Sequence, residues 1–197
     1  MSSSNMALVA AKTAAEVCRL CPLGEAAQKL LRPELTTSQY LAALMEQQLD
    51  LDAIRFLAHA LPKREAVWWA CLCVRSARGT TPPAAAAAAL HEAEKWAADP
   101  SEDNRRAAMS AAEAVGLSDP AGCVAAASFW SGGSLAPPNL PVVPPGEYLT
   151  AHGVAGAVLL AAVFTEPARA PEKHRAFLKL GLDVASGPNR WKEPAPK

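Results

Sequence analysis

The sequence reads as an all-α protein. Of its 197 residues, 44 are Ala and 23 are Leu, residues that lose little on entering a helix. Strand formers are scarce: 12 Val, 7 Thr and a single Ile, Ile54. Caps and prolines also recur at the spacing of helix ends. The expected architecture is an irregular helical bundle, or a stack of antiparallel helical hairpins, with about eight or nine helices. One domain would span 12–186, between tails at 1–11 and 187–197.

The elements follow in order. Lys12–Leu20 reads as a first helix, ended near Cys21-Pro22, because proline disfavours helix in the residue before it. Gly24–Leu31 is a short second helix, stopped by Arg32-Pro33. Thr36 and Gln39 have the spacing of a capping box, with Leu35 and Tyr40 placed as a hydrophobic staple. Asp50 is the expected cap of Leu51–Ala60, with Leu51, Ile54, Ala58 and Leu61 on one face. Lys63–Arg78 is apolar all round from Ala66 to Val74, so it belongs in the interior, with Trp68 and Trp69 as anchors.

Thr81-Pro82 reads as a cap followed by first-turn proline, opening Pro83–Ala98 and its run of six alanines. Ser101 caps a helix that stops at Gly116. Asp119-Pro120 opens Ala121–Trp130, and Gly132-Gly133 ends it. Tyr148–Thr165 carries no charge and reads as a central helix buried on all sides. Pro171–Ala185 is the last helix, with Phe177, Leu178, Gly181, Leu182 and Ala185 inward. Pro62 and Pro100 lie 38 residues apart, near a solenoid period, but no third copy keeps the register.

Residues 135–146 hold five prolines among 12, which forbid helix and favour extended chain. We read this segment as an ordered strap lying across helices, since Leu140, Val142 and Val143 need somewhere to pack. From Pro120 to Thr165 the sole charged residue is Glu147. That region holds either the core or a partner-binding surface. Phe129, Trp130, Leu135, Leu140 and Val143 are the candidate docking residues, because apolar and aromatic side chains dominate interface energy.

Several function classes are disfavoured. Lys+Arg and Asp+Glu both total 19, so no strong basic field marks a nucleic-acid binder. The apolar centre Val154–Phe164 is too short to span a bilayer. The N-terminus lacks the basic residues and long apolar run of a secretory signal. The odd count of five Cys suits reduced thiols in a cytoplasm.

Cys18 and Cys21 have the spacing of half a zinc site, but Cys71 and Cys73 diverge on one helix; small buried hydrophobes account for the cysteines better. No cofactor and no metal is expected. Among the four His, His152 is the one in a charge-poor segment, where a general base could work. The alternative to an interaction protein is therefore a small helical enzyme or ligand binder with a pocket near His152 and Trp130. Homo-oligomerisation is compatible with either.

Four stretches carry a resemblance: His59-Ala-Leu-Pro-Lys-Arg-Glu-Ala-Val-Trp-Trp-Ala, Asn104-Arg-Arg-Ala-Ala-Met, Phe129-Trp-Ser-Gly-Gly-Ser-Leu-Ala-Pro-Pro and Pro171-Glu-Lys-His-Arg-Ala-Phe-Leu-Lys-Leu-Gly-Leu-Asp. Together they resemble a bacterial domain-of-unknown-function family over residues 15–187. The resemblance implies company with type VI secretion accessory and spike-tip proteins. It thus implies a non-catalytic cytoplasmic adaptor or chaperone that holds an effector or spike component before export. No residue inherits a role from it.

Overall fold

The computed structural model describes residues 6–9, 11, 13–79 and 81–187. The described residues form ten α-helices: α1 (Ala14–Cys18), α2 (Glu25–Leu30), α3 (Thr37–Glu46), α4 (Asp50–Ala60), α5 (Lys63–Arg78), α6 (Ala84–Ala98), α7 (Glu102–Val115), α8 (Pro120–Phe129), α9 (Leu149–Phe164) and α10 (Ala170–Ser186). A 3-10 turn, Pro167–Arg169, precedes the last. Among the described residues there is no strand; Thr13 and Thr36 form an isolated bridge. Of the tail expected at 187–197, all but Gly187 lies outside the described residues.

Most consecutive helices pack together: α3 on α4, then α5, α6, α7, α8 and α9 each on the next; α5 also reaches α8, α9 and α10, and α6 also reaches α8. The centre is α9, which touches α8, α5, α4 and α10. It can take so many neighbours because its inward side chains are small: Gly153, Ala155, Ala157, Ala161 and Ala162 are buried beside Val154 and Val158. Small side chains let helix axes approach closely. The helix α10 closes the bundle over α4 and α5. There the buried Trp69 donates its Nε1–H to the Phe177 carbonyl at 2.7 Å, so the indole is both packed and satisfied.

The capping box forms as expected: Thr36 Oγ1 accepts from Gln39 N at 3.2 Å, and Gln39 Oε1 accepts from Thr36 N at 2.9 Å. Ser101 and Asp119 also cap their helices, at 3.4 and 2.8 Å. Asp119 additionally pairs with the buried Arg78 of α5, which lies 4.7 Å from the Phe164 ring centre.

Five local expectations are corrected. Asp50 is not a cap; Leu49 is, and Asp50 begins the first turn. The reason is the preceding turn. Gln48 takes φ 58, Leu49 N bonds Leu44 O at 2.9 Å and Gln48 N bonds Met45 O at 3.1 Å, a Schellman closure. That closure carries the chain straight into α4, and Asp50 Oδ2 instead faces Arg175 Nε at 3.5 Å. Leu51 is 47% exposed, so the inner face of α4 runs through Ala53, Ile54, Phe56 and Leu57. Helix α6 begins at Ala84 with Pro83 as its cap. Pro82 precedes another proline, which bars it from helical backbone. Trp68 is half-buried, unlike Trp69. Lastly, α9 is not enclosed: His152, Gly156, Val163 and Phe164 reach the surface.

Candidate functional site

The strap is anchored by two arginines of α7. Arg105 is 3% exposed. Its Nη1 donates to the Phe129 carbonyl at 2.5 Å and its Nη2 to the Ser134 carbonyl at 2.9 Å. Its Nε donates to Glu102 at 2.7 Å. Arg106 reaches Glu102 at 2.7 Å and the Ala136 carbonyl at 3.1 Å. Lys63 adds a bond to the Ser131 carbonyl at 2.8 Å. Carbonyls that would otherwise lack partners at the end of α8 are thus met by guanidinium groups, whose fixed fork serves two acceptors at once.

The strap then closes on itself. Ser134 Oγ accepts from Ala136 N at 3.1 Å and from Val143 N at 3.0 Å, while Leu135 N donates to the Val143 carbonyl at 2.8 Å. Gly133 turns the chain at φ +63, and a Cβ there would lie 2.9 Å from Arg105 Nη2. The glycine is needed for that close approach, beyond stopping a helix.

The five docking candidates divide. Phe129 is buried at 7% exposure, with the Arg105 guanidinium 4.4 Å from its ring centre. Trp130 is half-buried against Gly153 of α9, and Leu135 is half-buried in the strap's own closure. Leu140 and Val143 are 53% and 49% exposed. Val142, which the docking set omitted, is the most open of all at 76%. The strap therefore does not lay its aliphatic residues on the helices; it holds them outward. The physical reason is its internal closure between 134 and 143, which satisfies backbone groups locally and leaves the tip free. Arg105 and Arg106 were legible only as charges. Nothing in their spacing tells which carbonyls they serve.

The Arg105 hydrogen bonds, opposed by partial burial and aided by the charges of Arg105 and Arg106, hold the Glu102 carboxyl down from 4.5 to about 2. A carboxylate whose folded-state pKa is depressed stabilises the fold above its ordinary pKa, and that contribution fades as pH falls through the folded value. Wild-type protein should thus lose thermal stability between pH 4.5 and 2 more steeply than Glu102→Gln. Parallel melting curves that coincide across that range would contradict this.

His152 is exposed rather than enclosed. Its ring meets His59 of α4 edge-on, with centres 5.1 Å apart and planes at 78°. Tyr148 stands 6.3 Å from His59. A cavity of about 350 Å³ lies elsewhere, between α1, α2 and α3, lined by Cys18, Cys21, Tyr40, Arg19, Gln28 and apolar neighbours. Its thiols are poor nucleophiles: burial pushes Cys18 up and Cys21 up to about 12. All five cysteines are unpaired, and burial pushes Cys71 and Cys73 well above the usual thiol range. Among the described residues, no three His, Cys, Asp or Glu side chains converge on a point, and no single helix is long and apolar enough to cross a membrane.

A family described as "Family of unknown function (DUF6931)" matches residues 40–185, from the fourth residue of α3 to the last residue but one of α10. The chain belongs to that family. The DUF6931 segment takes in the strap, its arginine anchors and both histidines, and leaves α1, α2 and most of the cavity outside it. No curated protein and no solved structure matches the chain.

Proposed function

We propose that this chain is a non-catalytic protein-interaction module, an adaptor or chaperone that docks a protein partner through its strap. One observation carries the reading: a proline-rich loop is braced from below by buried arginine, yet presents Leu140, Val142 and Val143 to solvent. Exposed aliphatic groups on a floppy loop would be ordered only on binding, at an entropic cost. Here the ordering is already done, so apolar contact translates more fully into affinity. The strap's own residues 135–146 carry no charge, so its tip brings no charged group to be desolvated at the centre of an interface. The resemblance supports a finer reading, in which the partner is a secreted effector or spike component of a type VI system and the complex forms in the cytoplasm.

The test is a double variant, Leu140→Asp with Val142→Asp. Both side chains are exposed, so stability should change by no more than about 0.5 kcal/mol. A protein that co-purifies with the native chain from its own cells should be lost. An unchanged set of partners, with the variant folded, would remove the strap from the mechanism.

A further inference from the structure

We infer that His59 and His152 form a two-imidazole site for a first-row divalent transition-metal ion of the zinc, nickel or cobalt type. The site is separate from the strap's apolar tip and does not depend on the docking reading.

The geometry starts at His59. Its Nδ1 lies 2.8 Å from the Arg55 carbonyl one turn earlier on α4. A carbonyl can only accept, so Nδ1 carries the proton and Nε2 is left with its lone pair. That Nε2 is buried and has no hydrogen-bond partner among the described residues. An imidazole whose far nitrogen is fixed by a backbone carbonyl is the usual arrangement behind a metal-bound histidine.

His152 supplies the second ring, from the first turn of α9. With metal–nitrogen bonds of about 2.0–2.1 Å and a tetrahedral angle, two imidazole ligands hold their ring centres about 5 Å apart. The observed separation is 5.1 Å. His152 is exposed, which gives an ion a route in. No third His, Cys, Asp or Glu joins them among the described residues, so water fills the remaining positions. Two imidazole nitrogen donors and no carboxylate select zinc, nickel or cobalt over magnesium or calcium. An ion there would tie α4 to the first turn of α9, directly after the strap.

The experiment is titration of the full chain with Co²⁺, followed by visible absorption, and with Zn²⁺ by calorimetry. One equivalent should bind, with no thiolate charge-transfer band. His152→Ala should weaken binding at least about 10-fold, and His91→Ala should leave it unchanged. Because His152 is exposed, its variant stays folded; far-ultraviolet circular dichroism checks this. His59→Gln should match His152→Ala. The inference is overturned by the lack of saturable binding, by affinity indifferent to His152→Ala, or by a first equivalent that shows the thiolate band and so sits on Cys18 and Cys21.

Discussion

Arg105→Met should release the strap and cost about 3 kcal/mol or more. The guanidinium makes two charge-assisted bonds to the Phe129 and Ser134 carbonyls, each worth about 1.5–3 kcal/mol. Met fills much of the same volume over the Phe129 ring but donates nothing, so the Phe129 carbonyl loses its side-chain donor and the Ser134 carbonyl keeps only the 3.5 Å bond from Arg106, at a site where water has little access. Glu102 is half exposed and simply rehydrates, so the loss falls on the backbone of 129–134. Arg105→Lys should recover little, because one ammonium cannot span two carbonyls and a carboxylate. Two measurements check this. The denaturation midpoint should fall, and amide exchange at the described strap residues should accelerate more than in α3 or α10. Exchange that rises equally everywhere would mean that Arg105 supports the core generally, rather than the strap.

Gly122→Ala should destabilise by about 3 kcal/mol, against the usual preference for Ala in a helix. A Cβ at Gly122 would fall 2.1 Å from the Gly116 carbonyl oxygen and 2.9 Å from its carbon. Those are backbone atoms of the turn that joins α7 to α8, so no side-chain rotation relieves the overlap. The turn must open, and with it the Asp119 cap that holds both Ala121 N and Arg78. Gly156→Ala is the matched control. It too is a helical glycine, but nothing lies within 4 Å of its missing Cβ, so it should gain up to about 1 kcal/mol. Equal effects at the two positions would show that helix propensity, not the close approach, sets the outcome.

What could be read in the sequence is what depends on neighbours in the chain. The capping box at Thr36–Gln39, the caps at Ser101 and Asp119, and the full span of α5 are local, and they stand where composition and spacing placed them. Errors arose where a distant group or a backbone closure competed. Asp50 has a cap's chemistry, but the Gln48 turn and Arg175, which lies on α10, claim it. For α9, absence of charge suggests enclosure on every side. An uncharged face of Gly156 and Val163 can also stand in solvent. At the strap, proline content showed extended chain and the lack of charge marked a surface of interest. Which aliphatic side chains point outward depends on Ser134 and Arg105, through bonds that span up to 29 residues of sequence. The meeting of His59 with His152 likewise needs α4 beside α9.

The bond from Trp69 to Phe177 joins residues 108 positions apart. A ribosome adding about 5–20 residues per second needs roughly 5–20 s to supply the second after the first. During that interval α5 can pack on α6, α8 and α9, but its indole lacks the α10 carbonyl that satisfies it, and the α10 side of the helix stands open. A released chain that ends after α9 should therefore aggregate more, and depend more on holdases, than one that includes α10.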